Sequence, residues 1–316
     1  MKANRVYKEA PKKGNFITKT IEDIKKYPGV YLMIVPVIAY YILFCYRPMY
    51  GVLMAFEDFV PIKGVLGSEW VGLKHFKAFF NDIYFYRILR NTVVISLSSI
   101  IVCFPVPIIF ALLLNEVKGK YFVKTVQTIS YMPHFISMVV ICSMIKEFTK
   151  DTGIINQLLG VFGINCGTML AQPKYFVPIY VLSAVWQQTG WDAIIYVAAL
   201  AGVDQELYEA ASIDGAGRWK QTWHITFPSI MPTIIVLLIL RMGSVLNVGF
   251  EKIILLYNQG IYETADVISS YVYRKGLQEF NYSYSTAVGL FNSVVSFVLV
   301  MATNALSKKT TEMSLW

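Results

Sequence analysis

The sequence predicts an all-α protein that crosses a membrane six times, and two observations support this prediction. Charged residues make up only 15% of the 316 residues and hydrophobic residues make up 56%, whereas roughly a quarter of a soluble domain is charged. The apolar residues are concentrated in six runs of about twenty residues, which is the length that a helix needs to cross a bilayer. The chain is therefore expected to be a polytopic membrane protein.

The six predicted spans are separated by loops of unequal length. They cover residues 29–46, 92–114, 126–145, 175–200, 229–250 and 287–306. Pro105 and Pro107 should kink the second span. The loop at 47–90 is rich in aromatic residues and is expected to form short helices packed at the membrane interface. The pattern divides the chain into a basic N-terminal arm (1–28), a six-helix transmembrane domain (29–306) and a C-terminal tail (307–316).

The distribution of basic residues predicts the orientation in the membrane. Six spans place both termini on one side, and Lys and Arg are more frequent on that side, mainly because of the N-terminal arm. Both termini and the loop at 203–228 are therefore expected in the cytoplasm. The net charge of +8 favours contacts with anionic lipid over nucleic acid, because the basic residues flank apolar spans. The four cysteines show no metal-ligand spacing, so no metal site is expected.

The cytoplasmic loop has the pattern of a helix–turn–helix. Asp204 can cap a first helix that carries Glu206 in its first turn, where an acidic side chain suits the helix dipole. Gly215 can end this helix in the left-handed conformation. A second short helix at 218–224 should follow, and Pro228 is expected to mark the return of the chain to the membrane. A compact amphipathic unit of this kind suits insertion into a groove on a partner protein.

The same loop resembles the EAA motif of permease subunits from ATP-binding-cassette (ABC) importers. The matching positions are Glu209, Ala210, Ala211, Gly215, Ile225 and Pro228. Phe227 stands where the family often has Leu. Three further segments, 47–51, 67–73 with the following Phe76, and 284–292, resemble the LplB-type oligosaccharide permeases. The resemblance extends over nearly the whole chain.

This resemblance implies a fold, a function and a set of partners. It implies the type I ABC importer fold in a bacterial cell membrane, and a permease subunit of an oligosaccharide importer that works by alternating access. The implied partners are a second, homologous permease subunit, two copies of a cytoplasmic ATPase and an extracellular binding protein that delivers the saccharide. ATP and Mg belong to the ATPase, so this chain is expected to bind no cofactor and to be no enzyme. The residues expected to couple to the ATPase are Glu209, Ala210, Ala211, Asp214, Gly215, Ile225 and Pro228.

Polar side chains at membrane depth indicate where a substrate could pass, because such side chains face the bundle interior or a water-filled cavity. Amide groups bind sugar hydroxyls and aromatic rings stack on the apolar faces of sugars. The candidate pathway residues are Trp186, Gln187, Gln188, Trp191, Asn247 and Asn292. Gly190 is expected to loosen the helix between them. The alternative is that these polar groups only join helices by hydrogen bonds.

Asp192 and Arg241 lie in the fourth and fifth predicted spans and are a candidate ion pair. At 1.5 Å per residue they are about 12 and about 18 Å from the inner face. A pair at this depth, either structural or part of a gate, would avoid the cost of two unpaired charges in the membrane.

Two other classes of protein and one other class of substrate are alternatives. A membrane enzyme would need a nucleophile–base pair, but His75, His134 and His224 are scattered along the chain, and of these His134 is a candidate for the pathway. A passive channel would have no use for a loop that docks on an ATPase. Among importers, a permease for another solute, such as amino acids or peptides, is the alternative to a saccharide permease.

Overall fold

The computed structural model describes residue 20 and residues 23–311, with side chains up to residue 309. The chain divides into two units, Met1–Leu53 and Met54–Trp316. Most of the predicted N-terminal arm and the last residues of the predicted tail lie outside the described residues.

The first unit is helical where it is described. Helix α1 (Pro28–Tyr40) continues through a π-helical segment (Tyr41–Tyr46) into the short helix α2 (Arg47–Met49). The helical stretch Pro28–Phe56 is long and apolar enough to cross a membrane. The predicted first span at 29–46 lies within this stretch, which extends further than the prediction.

The second unit consists almost entirely of helices. They are α3 (Gly64–Gly67), α4 (Lys74–Phe80), α5 (Phe85–Cys103), α6 (Pro105–Glu116), α7 (Lys120–Tyr131), α8 (Met138–Phe148), α9 (Ile154–Gly160), α10 (Pro173–Ala201), α11 (Gln205–Ile213), α12 (Arg218–Gln221), α13 (Phe227–Gly243), α14 (Phe250–Leu256), α15 (Tyr262–Ala265), α16 (Ile268–Tyr273) and α17 (Tyr282–Thr311). Strands β1 (Glu57–Asp58) and β2 (Glu69–Trp70) form a two-residue antiparallel ladder, which is the only sheet in the described part of the chain. The all-α prediction is confirmed.

Four helical stretches among the described residues are long and apolar enough to cross a membrane. They are Pro28–Phe56, Phe85–Glu116, Arg218–Gly243 and Tyr282–Lys309, and they correspond to the first, second, fifth and sixth predicted spans. The second is interrupted at Phe104, directly before Pro105, where the kink is predicted. The end of the fifth span at residue 250 is wrong, because α13 stops at Gly243. The following apolar residues Leu246 and Val248 are buried within irregular backbone.

The predicted third span at 126–145 is not one straight helix. Helix α7 with its 3-10 extension Met132–Phe135 meets α8 at an angle of 97°. Pro133 lies in the turn, where it supplies no backbone donor, and Ser137 has extended backbone and accepts from the Val140 amide to cap α8. The apolar run predicted as the third span is therefore bent, because a proline and a helix cap lie inside it.

Helix α10 is the element around which the second unit packs. It has 29 residues, which is long enough to cross a membrane, but the polar run at 186–192 lowers its hydropathy and it is not among the apolar stretches. It contacts α5, α6, α7, α13 and α15. Its buried residues are Phe176, Tyr180, Val181, Gln187, Gly190, Ala193, Tyr196 and Leu200. The fourth span predicted at 175–200 is therefore a helix that other helices cover.

Within the aromatic loop predicted at 47–90, the short helix α4 packs on the helices of the second unit, as predicted. Phe79 of α4 is completely buried, and it packs with Ile88 of α5 and with Tyr271 and Tyr284 of α16 and α17. Its ring meets that of Phe291 at a centroid distance of 5.4 Å. This cluster holds the segment before the second span against the start of the sixth.

A buried carboxylate ties α5 to the segment before α17. Asp266 is completely buried, and its Oδ2 accepts from Arg87 (3.0 Å) and Arg274 (2.7 Å), while its Oδ1 accepts from Ser270 (2.8 Å). The Asn91 side chain donates to the Asp266 carbonyl at 3.0 Å. Burial lowers the pKa of Arg274, but the hydrogen bond and charge of Asp266 outweigh it and leave this pKa above its ordinary value.

A second carboxylate, Asp82, lies between α4 and α5. It accepts from the hydroxyl of Tyr271, from the hydroxyl of Tyr284 at 2.7 Å and from the Tyr84 amide at 2.8 Å. Burial raises the pKa of Asp82, but these hydrogen bonds outweigh it, and the pKa lies below its ordinary value. Asp82 therefore stays ionised at neutral pH and holds α16 and α17 together.

We expect Asp266→Asn to destabilise the protein. The change keeps the shape of the side chain but removes the charge that compensates Arg87 and Arg274, and a partly buried charge without its partner is costly. The free energy of unfolding should fall by about 3 kcal/mol. The measurement is the melting temperature of the purified protein in detergent, followed by tryptophan fluorescence.

The matched control is Asp58→Asn, because Asp58 forms an exposed ion pair with Lys74 at 2.5 Å. An exposed pair contributes about 1 kcal/mol or less, so this variant should melt close to the wild type. Equal losses for the two variants would contradict the role given to Asp266.

Candidate functional site

Helices α11 and α12 form the predicted helix–turn–helix. The Asp204 carboxylate accepts from the Glu206 amide at 3.0 Å and caps α11, as predicted. Gly215 follows α11 with φ of +76°, in the left-handed region that glycine adopts without strain. The predicted second helix is present as α12 and a π-helical segment, Thr222–Thr226.

The return to the membrane predicted at Pro228 falls inside one helical stretch, Arg218–Gly243, that is long and apolar enough to cross a membrane. The position at which the chain enters the membrane stays a prediction. Pro228 lies in the first turn of α13, directly after the π-helical segment. A π-helical segment is one way in which a helix stays continuous next to a residue such as proline that disturbs its hydrogen bonds. One helical stretch therefore joins the loop to the fifth span.

The helix–turn–helix is held together by side-chain hydrogen bonds and is attached to the bundle by apolar packing. Gln221 Nε2 donates to Ser212 Oγ at 2.9 Å and so joins α12 to α11. The hydroxyls of Tyr208 and Thr226 are hydrogen-bonded at 2.9 Å. Tyr208 also packs against the apolar cluster of α6, α10 and α13. The inner face of the loop is thus part of the folded core.

The opposite face of the loop is exposed. Among the predicted coupling residues, Glu209, Ala210, Asp214, Gly215 and Pro228 are exposed, and Ala211 and Ile225 are half-buried. The apolar side chains of Ile213 and Trp219 are also exposed, at 86% and 74%. Tertiary structure thus brings the predicted motif residues onto one compact projection with an uncovered surface.

A polar cavity of about 480 Å³ lies among α5, α10, α13 and α14, and it is called the polar cavity below. Three predicted pathway residues, Gln187, Gln188 and Asn247, line it together with Arg241. Asn247 was predicted inside the fifth span but lies in the irregular segment after α13. Asn292 Nδ2 of α17 donates to the side-chain oxygen Oδ1 of Asn247 at 3.0 Å, so the predicted sixth-span residue positions the side chain of a cavity residue.

The two predicted tryptophans lie elsewhere. Trp186 lines a separate cavity of about 340 Å³ whose walls are mainly apolar. Trp191 stacks on His134 with ring centroids 4.2 Å apart and planes 1° apart. The His134 Nδ1–H donates to Gln188 Oε1 at 2.9 Å. The His134 imidazole, which lies at the bend between α7 and α8, thus orients the side-chain amide of Gln188 at the polar cavity.

Asp192 and Arg241 line a common cavity of about 260 Å³. Arg241 also lines the polar cavity. The ion pairs among the described residues with a nitrogen–oxygen distance of 4.0 Å or less do not include Asp192 with Arg241. The sequence therefore predicted their proximity, but the pair is not formed in this conformation.

Gly190 does not loosen α10, which is continuous from Pro173 to Ala201. A Cβ at this position would lie 2.2 Å from the Ser130 carbonyl oxygen of α7. The glycine is required because the backbones of α7 and α10 approach closely there. The interpretation of Gly190 as a flexible point is wrong, since a close helix crossing cannot be seen in one sequence.

Lys252 was not singled out from the sequence. It is 4% exposed and lines the polar cavity, and its Nζ donates to the Tyr180 carbonyl at 2.9 Å. Ser96 of α5 is a further polar lining residue. The available signal was a lysine inside the apolar run Phe250–Leu256, but this run begins where the predicted fifth span ends at residue 250, so Lys252 was counted with the residues between the fifth and sixth spans.

The comparisons with known proteins identify the family. The protein-family model described as binding-protein-dependent transport system inner membrane component matches residues 103–312 of this chain. The chain belongs to this family, and it is a multi-pass membrane protein of the type I ABC permease fold.

Two similar proteins from Bacillus subtilis (strain 168) indicate the kind of permease to which this chain is related. The chain is 48% identical over 281 residues to the polygalacturonan/rhamnogalacturonan transport system permease protein YteP, covering 89% of this chain and 88% of that protein. It is 46% identical over 287 residues to protein LplB, covering 90% of each.

A solved structure shows the same fold. A chain of a bacterial alginate ABC transporter, solved in complex with an alginate pentasaccharide-bound periplasmic protein, superposes with a TM-score of 0.86 at 42% identity, covering 93% of this chain and 99% of that one. The comparisons confirm a non-enzymatic transport subunit and support a carbohydrate importer over one for amino acids or peptides.

We expect Gly190→Ala to destabilise the protein, because the added methyl group would overlap the Ser130 carbonyl of α7. Overpacking of this kind costs about 1–3 kcal/mol. The melting temperature in detergent measures the effect.

The matched control is Gly289→Ala in α17, where a Cβ meets nothing within 4 Å. Alanine favours a helix over glycine by about 1 kcal/mol, so this variant should melt at or above the wild-type temperature. A Gly190→Ala protein that behaves like the control would show that the close approach has no energetic role.

Proposed function

We propose that this chain forms one half of the translocation pathway of a carbohydrate importer and that a cytoplasmic ATPase drives it through the loop at 203–228. The observation that carries the proposal is the two-sided character of this loop. One side is attached to the bundle, because Tyr208 packs on its apolar cluster and Thr222 donates to Glu116 of α6, and the other side presents Glu209 and Ala210 to the surroundings. A fixed inner face transmits force, and a free outer face is available to a partner.

The exposed face has the properties of a groove-binding helix. Ala210 lets a partner backbone approach closely, and Glu209 offers a carboxylate to a basic or hydrogen-bonding group. The exposed apolar side chains Ile213 and Trp219 flank them. Apolar anchors beside one charged group are typical of helices that insert into grooves. The groove is assigned to the ATPase, which binds ATP and Mg, and this chain binds neither.

The helical stretch from Arg218 to Gly243 supports a mechanical connection between the loop and the pathway. It begins at the exposed loop and carries Arg241, which lines the polar cavity, near its end. At 1.5 Å per residue these two positions are roughly 35 Å apart. The Thr222 hydroxyl also donates to Glu116 at the end of α6, at 3.3 Å. Movement of the loop would therefore move α13 and α6 together and change access to the cavity.

The substrate assignment follows from the cavity and the relatives. Amide groups of Gln187, Gln188 and Asn247 line the polar cavity, and amides bind sugar hydroxyls. The related permease is named for polygalacturonan and rhamnogalacturonan, and the related structure includes a periplasmic protein loaded with an alginate pentasaccharide. We assign an oligosaccharide substrate that an extracellular binding protein delivers. A second, homologous permease subunit supplies the other half of the pathway.

The orientation belongs to the same proposal. An ATPase acts in the cytoplasm, so the loop at 203–228 faces the cytoplasm. Both termini then lie on that side, and the segment between the fifth and sixth spans lies outside. The bias of basic residues supports the same orientation.

We expect Glu209→Lys to abolish saccharide uptake while the subunit remains in the membrane. Loss of one central charged contact at an interface costs about 2 kcal/mol or more, which weakens ATPase binding roughly 30-fold. Gly215→Pro should have the same effect, because a φ of +76° is closed to proline. The measurements are uptake of labelled oligosaccharides in cells lacking the chromosomal gene, and co-purification of the ATPase.

The control is Glu263→Lys, which reverses an exposed charge one span away and therefore on the other side of the membrane. It should transport normally. Wild-type uptake and ATPase recovery for both Glu209→Lys and Gly215→Pro would rule out coupling through this loop. Unchanged uptake of all saccharides after deletion of the gene would reject the substrate class.

A further inference from the structure

Two basic side chains from different elements line the polar cavity. Arg241 comes from the last turn of α13, and Lys252 comes from α14. Asp192 is near Arg241 in the adjoining cavity, and Glu251 is the one carboxylate in the lining of the polar cavity. The lining of the polar cavity therefore carries two basic side chains and one acidic side chain, although apolar spans usually exclude basic residues.

In the described part of the chain, the guanidinium group of Arg241 forms no side-chain hydrogen bond and no ion pair within 4.0 Å, although the Asp192 carboxylate of the adjoining cavity is close enough to attract it. It takes part in none of the side-chain ion pairs within 4.0 Å there, and Ser244 bonds only to its backbone carbonyl. Other arginines of this unit behave differently, since Arg87 and Arg274 both bind Asp266. A planar guanidinium offers five donors, arranged to receive a carboxylate through two parallel hydrogen bonds. Arg241 thus presents an unused carboxylate-binding group to the cavity.

Lys252 is buried without a carboxylate partner. Its Nζ donates to the Tyr180 carbonyl at 2.9 Å and lies 4.7 Å from the centre of the Tyr180 ring. An ammonium group has three donors, and this contact uses one of them. A buried cation is stable only when further hydrogen bonds or an anion compensate it. Lys252 therefore has the capacity to bind an anion that enters the cavity.

The broken third span adds a third positive feature to the same cavity. Met138 is the first residue of α8 and lines the polar cavity. The N-terminal end of a helix carries a partial positive charge, and the ends of broken helices at membrane depth commonly face anionic groups. This end follows the 97° bend between α7 and α8.

We propose that the polar cavity binds a saccharide that carries a carboxylate, a uronate, with Arg241 and Lys252 as the carboxylate ligands. The neighbouring amides of Gln187, Gln188 and Asn247 bind the sugar hydroxyls. Glu251, the acidic lining residue, accepts hydrogen bonds from sugar hydroxyls. This inference rests on the proposed function, and it adds the charge class of the substrate and the residues that select it.

The test compares uronate trisaccharides with their methyl esters, which have the same rings but no charge. The probes are trimers of galacturonate, mannuronate and glucuronate, together with neutral maltotriose. The importer complex is purified with its own partner subunits in nanodiscs without the binding protein, and binding is measured by equilibrium dialysis. We expect at least one uronate trimer to bind roughly tenfold or more tightly than its ester, which is the effect of one charge-assisted hydrogen bond.

The variants identify the ligands. Arg241→Gln and Lys252→Met should bring the acid and its ester to nearly equal affinity, and Arg241→Lys should retain part of the preference. Lys77→Gln is the control, because Lys77 is exposed on α4 and does not line the cavity. Each variant is compared with the wild type for its amount in the membrane.

The outcomes separate this inference from the proposed function. Equal binding of every acid and its ester by the wild type would overturn the inference, and so would an equal loss of acid and ester affinity in the two variants. In both cases a saccharide importer would stand if gene deletion abolishes uptake of a saccharide. If the wild type binds no trisaccharide and deletion changes the uptake of none, the proposed function fails and the inference fails with it.

Discussion

The polarity of α10 is the constraint on which the second unit depends. Gln187, Gln188 and Asp192 lie within a helix that is long enough to cross a membrane, and such side chains are costly against lipid. Helices α5, α6, α7 and α13 cover it, and α7 approaches so closely at Gly190 that no side chain fits. The same polarity that forces α10 to the interior also supplies the amides of the polar cavity. The packing of α10 and the polar lining of the cavity therefore have one cause in this carbohydrate importer permease.

The helices that cover α10 also connect it to the loop at 203–228 and to the segment before α17. On one side, α13 continues without interruption from the loop that carries the EAA motif. On the other side, the ion cluster of Asp266 fixes α5 to the segment that leads to α17. Asn292 of α17 then bonds to Asn247 at the cavity. The lining residues are consequently supported from elements on several sides, which suits a cavity whose shape is changed by rigid-body movement of helices.

The parts of the site that could be predicted from the sequence are those with local causes. The cap at Asp204 and the left-handed Gly215 depend on residues within one helix and its turn, so their patterns are sufficient. The end of α13, the bend before α8 and the burial of Lys252 could not be predicted in the same way. Apolar residues such as Leu246 continue the span pattern although the backbone there is irregular, because burial in protein and burial in lipid favour the same side chains.

The sequence by itself determined the all-α membrane class, the position of most spans and the details of the EAA loop, because hydropathy, caps and turns are properties of neighbouring residues. Only the tertiary structure decided that Gly190 serves a helix crossing, that Asn292 positions Asn247, and that Arg241 and Lys252 meet in one cavity. These pairs are separated by many residues along the chain. Their contacts depend on how helices pack, and a single sequence contains no direct signal for that packing.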